Sequence, residues 1–174
     1  SLCLLNFALV GCGRIAKRHS ELLGFDQIKG AQLVSVCDNV IDKANKIAEQ
    51  FNVTAYEDMD EMMKSEAVDV VVVLTPSGLH AEHVVNLSKY GKHIMVEKPM
   101  ALSIEDTEAM IYACDENNIK LFVIKQNRFN ATLKLLKRAI EENRFGKINM
   151  VHINVFWTRP QSYYDQAKWR GTWE

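Results

Sequence analysis

"LVGCGRIA", residues 9–16, decides how this chain is read. An apolar run ends at Gly11, Gly13 follows after one residue, and Ala16 stands three positions further on. The spacing Gly11-x-Gly13-x-x-Ala16 lets a strand turn tightly into a helix whose first N–H groups stay open to an anion. Alanine is allowed at the third glycine position of this fingerprint. Alone the motif is weak, because a glycine before a helix is often only a turn. The next apolar run ends in Asp38, 25 residues after Gly13. An acid there is placed to accept hydrogen bonds from the hydroxyls of an adenosine ribose. Strand, glycine turn, helix, strand and acid in that order predict a dinucleotide site. Gly11, Gly13, Arg14 and Ile15 are its candidate pyrophosphate contacts, with Asp38 and Asn39 at the ribose. The charge of Asp38 repels a 2′-phosphate, which selects NAD over NADP; Arg14 is the neighbour that argues the other way.

Around this turn, short apolar runs alternate with longer amphipathic ones. "LLNFALV", "AQLVSVC", "VDVVVVL", "HIMVE" and "IKLFVI" are apolar on both faces and rich in β-branched residues. Such runs read as strands of a parallel sheet covered on both sides. Helical stretches are expected near 14–24, 40–51, 58–64, 79–90 and 103–117. The last opens with Ser103 and has Asp106 three residues on, a start resembling a capping box. The expected fold class is α/β, a doubly wound parallel Rossmann sheet built from right-handed crossovers.

After Lys125 the pattern changes. "NATLKLLKRAIEENRFG" reads as one amphipathic helix closed near Gly146. "KINMVHINVFWTR" then alternates, with Val151, Ile153, Val155 and Trp157 on one face and Met150, His152, Asn154 and Phe156 on the other. This is the pattern of a half-covered strand in a mostly antiparallel sheet. The reading is therefore a dinucleotide-binding domain over 1–125 and the beginning of an α+β domain over 126–174. A single long strand needs neighbours, so the second domain is expected to be incomplete and the chain to be a fragment.

The formal net charge of −1 gives no case for nucleic acid or a membrane surface. It is unevenly spread. Residues 126–174 hold nine Lys/Arg and four Asp/Glu, net +5, and residues 1–125 hold twelve and eighteen, net −6. A basic end beside an acidic body suits an anionic small molecule, and a solvated helix face explains the charge equally well. Cys3, Cys12, Cys37 and Cys114 form no C-x-x-C pair, so reduced thiols are expected rather than a disulfide frame or zinc site. The start lacks a basic signal-peptide region, and no apolar run reaches the roughly 20 residues of a membrane span. A soluble, cytoplasmic protein is expected.

Two further stretches carry chemistry. "LTPSGLH", residues 74–80, puts Thr75, Pro76, Ser77 and His80 where a parallel strand meets the ligand crevice, with Gly78 giving room. His80 and His83 are spaced to share a metal, but no third ligand is near; no metal is expected, and His80 is read as a cofactor neighbour or a surface histidine. "VEKPM", residues 96–100, ends another apolar run in Glu97 and Lys98, where Pro99 forbids continuation of the ladder. A lysine at the ligand edge can bond a substrate hydroxyl and favour its deprotonation as hydride leaves. Elsewhere in a chain the pair would be a surface Glu–Lys before a turn.

"GCGRIA", "LTPSGLH", "VEKPM" and the following "KQNRF" together resemble the glucose–fructose oxidoreductase / inositol dehydrogenase (Gfo/Idh/MocA) family of NAD(P)-dependent sugar oxidoreductases. The resemblance implies that Glu97 and Lys98 border the nicotinamide and substrate, with Lys98 the catalytic group assisting proton movement. It implies that Gln126 lies near the cofactor and Arg128 near the substrate, and that Trp169 and Arg170 reach the cofactor from the second domain. The family's usual catalytic histidine belongs to a downstream Asp-to-His region that this chain does not reach, and His152 does not replace it. "FWTRPQSYYDQAKWRGTW" resembles, more narrowly, the dehydrogenases that oxidise C3 of UDP-N-acetylglucosaminuronate in surface-polysaccharide synthesis. That segment holds six of the fifteen aromatics together with Arg159, Lys168 and Arg170. Such a mix suits stacking on a sugar or base and pairing with phosphate or carboxylate, with Arg159 and Tyr163 the candidates for substrate. An aromatic-rich subunit interface is the competing explanation, and a homo-oligomer joined through the C-terminal sheet is expected. The alternatives to a nucleotide-sugar dehydrogenase are a polyol dehydrogenase such as one for inositol, and a noncatalytic NAD(H)-binding module.

Overall fold

β1 (Leu5–Val10) runs through the middle of a six-stranded parallel sheet in the computed structural model, which describes residues 3–168, 170 and 171. β2 (Ala31–Cys37) and β3 (Thr54–Tyr56) extend the sheet on one side, and β4 (Val70–Val73), β5 (His93–Val96) and β6 (Leu121–Val123) on the other, giving the order β3-β2-β1-β4-β5-β6. Five helices connect them: α1 (Arg14–Gly24), α2 (Ile41–Phe51), α3 (Met59–Ser65), α4 (His80–Ser88) and α5 (Ile104–Glu116). The chain reverses direction of winding between β1 and β4, as in a doubly wound sheet.

Alternation along the strands explains the two-sided cover. Ala8 and Val10 of β1 join Val71 and Val73 of β4 in a core with Met62, Val84, Leu87 and Met110. Their neighbours Leu9 and Val72 point the other way, into a core with Ala16, Leu23, Ala44 and Ala48. All four β4 residues are buried valines, whose stiff branched side chains fit a strand covered on both faces. Small residues let the helices close on the sheet. A Cβ on Gly24 would lie 2.2 Å from the Phe51 ring, so only glycine admits this approach of α1 to α2.

Helix starts follow local chemistry. The Ser103 hydroxyl accepts the Asp106 N–H at 3.1 Å, and the Asp58 carboxylate accepts the Glu61 N–H at 2.8 Å. Each such cap is worth about 1 kcal/mol. β3 is absent from the strands expected of the sequence. It is three residues long and not fully buried, so it leaves no apolar run to read.

The chain divides into two compact units between Ile124 and Lys125. The second contains a 3-10 turn (Gln126–Phe129), α6 (Ala131–Glu141) and α7 (Gln161–Asp165). α6 stops before Gly146. Asn143 adopts a left-handed φ of 54°, the Asn143 N–H bonds to Ile140 O at 2.9 Å and the Arg144 N–H to Ala139 O at 2.9 Å, a Schellman ending. The strand expected over 147–159 does not form among the described residues: this stretch pairs with no ladder, and Met150 and Phe156 are 85% and 91% exposed. Alternation supplies the side chains for a sheet face, but a strand exists only where another offers its N–H and C=O groups.

Candidate active site

The ladder brings the candidate residues to one edge. Val10 is level with Cys37 and Val73, and Val73 is level with Val96. The bonds continue one step further: Gly11 N–H to Cys37 O at 2.8 Å, Leu74 N–H to Val10 O at 2.7 Å, and Glu97 N–H to Val73 O at 3.1 Å. The chain therefore leaves the sheet at Gly11, Asp38, Thr75 and Lys98 along the carboxyl ends of adjacent strands. In an open parallel sheet that edge, beside the switch point between β1 and β4, is where ligands bind.

The glycine turn is shaped for a close approach. Gly11 has a φ of +97°, and a Cβ there would sit 2.8 Å from Leu74 C and 2.9 Å from Thr75 N. Gly13 precedes α1, and a Cβ on it would meet no atom within 4 Å. Among the described residues no side chain caps α1, and no acid stands in its first turn, so the positive dipole end carries no competing negative charge. That arrangement suits an anion such as a dinucleotide pyrophosphate. Arg14 and Ile15 are exposed on the first turn.

Asp38 is fixed by two backbone bonds. Its Oδ2 accepts the Cys12 N–H at 2.8 Å and its Oδ1 accepts the Val40 N–H at 2.8 Å. The carboxylate thus ties the glycine turn to the end of β2, with lone pairs left on both oxygens. Asn39 is exposed beside it. Burial, with the Asp38 charge second, pushes the Cys12 and Cys37 thiols up to about 12. They remain protonated packing groups rather than nucleophiles.

Glu97 is 9% exposed, and its partner is His19 of α1, whose Nε2–H donates to Oε1 at 2.9 Å. Oε2 accepts the Lys98 N–H at 3.0 Å. Burial pushes the Glu97 carboxyl up, but the His19 bond, the Lys98 N–H and the charges of both residues outweigh it and hold the group below the usual glutamate range. Lys98 is exposed, and its side chain has no hydrogen-bond or ion-pair partner among the described residues. His19 was not readable as a site residue. The sole hint was an acid ending a core strand, which requires a partner somewhere.

His80 is not a surface histidine. It is 1% exposed, with Nδ1 2.8 Å from Pro99 O and Nε2 2.8 Å from Thr75 O. Both ring nitrogens are engaged by the backbone, so His80 ties the end of β4 to Pro99 beside the crevice. Thr75 Oγ1 shares a 2.9 Å hydrogen bond with His83 Nδ1, and burial lowers the His83 pKa. Pro76 and Ser77 begin the 3-10 turn that leads into α4, with Pro76 exposed. No group of three metal-binding side chains occurs among the described residues.

In the second unit, Gln126 and Arg128 lie on the 3-10 turn, both exposed. Arg159 packs its guanidinium over the Trp157 and Tyr163 rings, each at 4.7 Å, and Arg170 packs over Tyr163 at 4.2 Å. Arg170 Nη1 also donates to Tyr163 O at 2.7 Å. Trp169 lies outside the described residues.

A doubly wound sheet with a glycine turn, an acid ending β2 and a Glu-Lys pair ending β5 defines a dinucleotide-binding domain of an oxidoreductase. The chain belongs to the Gfo/Idh/MocA family: the family described as "Oxidoreductase family, NAD-binding Rossmann fold" matches residues 5–125, and NAD is the cofactor of that domain. The WlbA dehydrogenase of Chromobacterium violaceum, solved with NADH and UDP-GlcNAcA, is 48% identical, with a TM-score of 0.93 over 98% of this chain and 49% of its own. The WlbA dehydrogenase of Bordetella pertussis, solved with the same two ligands, is 45% identical, with a TM-score of 0.91 over 97% of this chain and 51% of its own. Myo-inositol 2-dehydrogenase of Thermotoga maritima is 31% identical over 86% of this chain and 44% of its own length. The chain thus spans about half the length of these relatives. No described helix is long and apolar enough to cross a membrane.

Proposed function

We propose that the protein oxidises a sugar hydroxyl with NAD, at C3 of a UDP-linked N-acetylated uronic acid. One observation carries this reading. Structural similarity to the two WlbA dehydrogenases extends over 97–98% of the chain, through the aromatic and basic segment, whereas solved scyllo-inositol dehydrogenases cover 82–84% of it. The segment outside the Rossmann sheet is where a substrate preference would be written. In this reading the protein works in the cytoplasm, where nucleotide sugars are made, and the exposed apolar residues at 148–157 support association with further copies.

NAD, when bound, accepts the hydride from the carbon that carries the hydroxyl. The turn at Gly11 and Gly13 receives its pyrophosphate, and Asp38 receives its adenosine ribose. The Lys98 side chain hydrogen-bonds the hydroxyl oxygen and stabilises the negative charge that develops there as the proton departs to solvent. The Glu97 carboxylate, fixed by His19, keeps the start of that side chain in place. Arg159 and Tyr163, with Gln126, Arg128 and Arg170, bind the anionic and planar parts of the ligands; Thr75, Pro76 and Ser77 line the cofactor side.

The test is NADH formation by a polypeptide that carries this chain and spans the length of its relatives. UDP-GlcNAcA is expected to be oxidised and inositols not. Oxidation of myo- or scyllo-inositol alone would shift the reading to a polyol dehydrogenase, and NAD binding without oxidation of either class would leave a binding module.

A further inference from the structure

The residues flanking Lys98 are each tied down by a histidine, and the two histidines come from opposite faces of the sheet. α1, which carries His19, packs on the face with Leu9 and Val72; α4, which carries His80, packs on the face with Val71 and Val73. On one side His19 donates to Glu97 Oε1 at 2.9 Å, and Glu97 Oε2 accepts the Lys98 N–H at 3.0 Å. On the other, the His80 ring bridges Pro99 O and Thr75 O, donating to one carbonyl as a neutral tautomer and to both as imidazolium. The peptide of Lys98 is held while its side chain is left exposed.

We propose that His19 is a positioning residue for Lys98, acting through the Glu97 carboxylate. The proposal rests on the reading of Lys98 as the group that handles the hydroxyl proton. The last torsion of a glutamate has only a broad intrinsic preference, so the bonds made by its two oxygens set the carboxylate's orientation. His19 removes that freedom from the α1 side, so the second oxygen stays aimed at the Lys98 N–H. A lysine anchored in this way loses less freedom on reaching the substrate than one on a mobile loop, and small misplacements of a reacting group cost about 10²-fold in rate. No residue of the glycine turn and neither oxygen of Asp38 takes part, so the pyrophosphate and adenosine parts of the proposed cofactor site do not depend on the His19 contact.

His19→Gln keeps a side-chain N–H for Glu97, and His19→Leu removes it. The readout is the Lys98 amide proton, followed by NMR from about pH 3 to 8, across the range in which glutamate and histidine titrate. In the wild type it is expected downfield, reporting a carboxyl titration below the usual glutamate range. His19→Gln retains the downfield position. His19→Leu loses it, and the titration moves upward because burial of Glu97 is no longer opposed by the imidazole. In the enzyme assay, kcat falls about tenfold or more for Leu and recovers for Gln, while KM for NAD stays within about twofold. A folded His19→Leu protein whose Lys98 amide and titration match the wild type overturns the proposal, whatever its turnover; so does a folded His19→Gln protein that behaves as Leu in both readouts. Lack of turnover in the wild type would count against the proposed sugar oxidation, and the amide readout would still decide the role of His19.

Discussion

The Asp38 carboxylate accepts the Cys12 N–H at 2.8 Å, joining the end of β2 to the middle of the glycine turn. In the proposed reading one acid does two things: it shapes the turn read as the pyrophosphate site, and its negative charge disfavours a 2′-phosphate. Calorimetry should show NAD bound at least about tenfold tighter than NADP, a difference of about 1.4 kcal/mol. Asp38→Ala should remove the preference and weaken both cofactors, since the Cys12 and Val40 N–H groups lose their acceptor. Equal affinities in the wild type would contradict this role.

Gly11 and Gly13 should respond differently to alanine. At Gly11 the φ of +97° and the 2.8 Å approach to Leu74 C leave no room for a Cβ. Gly11→Ala should destabilise by about 1–3 kcal/mol, lowering the melting temperature by about 2–4 °C for each kcal/mol. At Gly13 the space is open and φ is −79°, so Gly13→Ala should melt as the wild type does. It should still bind NAD more weakly, because the methyl enters the volume read as the pyrophosphate site. Thermal melts and NAD titrations on the two variants check both halves.

Acid should weaken the fold partly through Asp60. The Tyr90 hydroxyl, then Lys89 and Asn86, hold its carboxyl at about 2, below the ordinary 3.8. A carboxylate with a depressed folded pKa contributes stability above its unfolded pKa and loses it as pH falls through the folded value. The window is therefore about pH 4 down to about pH 2. The side chains of Asp60 and Lys89 are 32% and 54% exposed, so the ion pair is screened and the Tyr90 bond should dominate. Denaturant melts should show Asp60→Asn less stable than the wild type at neutral pH, with the gap closing across this window. A gap independent of pH would assign the loss to packing.

Five of the six strands were legible because they carry near-continuous apolar runs, which in the central strands follow from burial between helix layers. β3 was not, since Thr54–Tyr56 is short and pairs with β2 alone. The stop of α6 at a left-handed Asn143 instead of Gly146 reflects a residue that tolerates that conformation almost as well as glycine. The alternation at 147–159 was read as a strand, but period-2 patterning says only which side chains would share a face. At the site, glycines, acid and lysine were readable because a turn and a strand end constrain them locally. The His19–Glu97 and His80–Pro99 contacts span 78 and 19 residues, and no periodicity connects such pairs. This is why the burial of His80 and the partnership of His19 with Glu97 were not legible in the sequence.

In the proposed function Lys98, exposed at the carboxyl edge of β5, assists loss of the hydroxyl proton and has no part in folding. Lys98→Met keeps the length and apolar stem of the side chain and removes its charge. Measured on a polypeptide spanning the length of the relatives, with UDP-GlcNAcA and NAD, turnover should fall by about 10²-fold or more, the range for a positioned acid–base group. NAD affinity and melting temperature should stay close to the wild type. A Lys98→Met enzyme that forms NADH at the wild-type rate would leave Lys98 an ordinary surface residue with no part in the reaction.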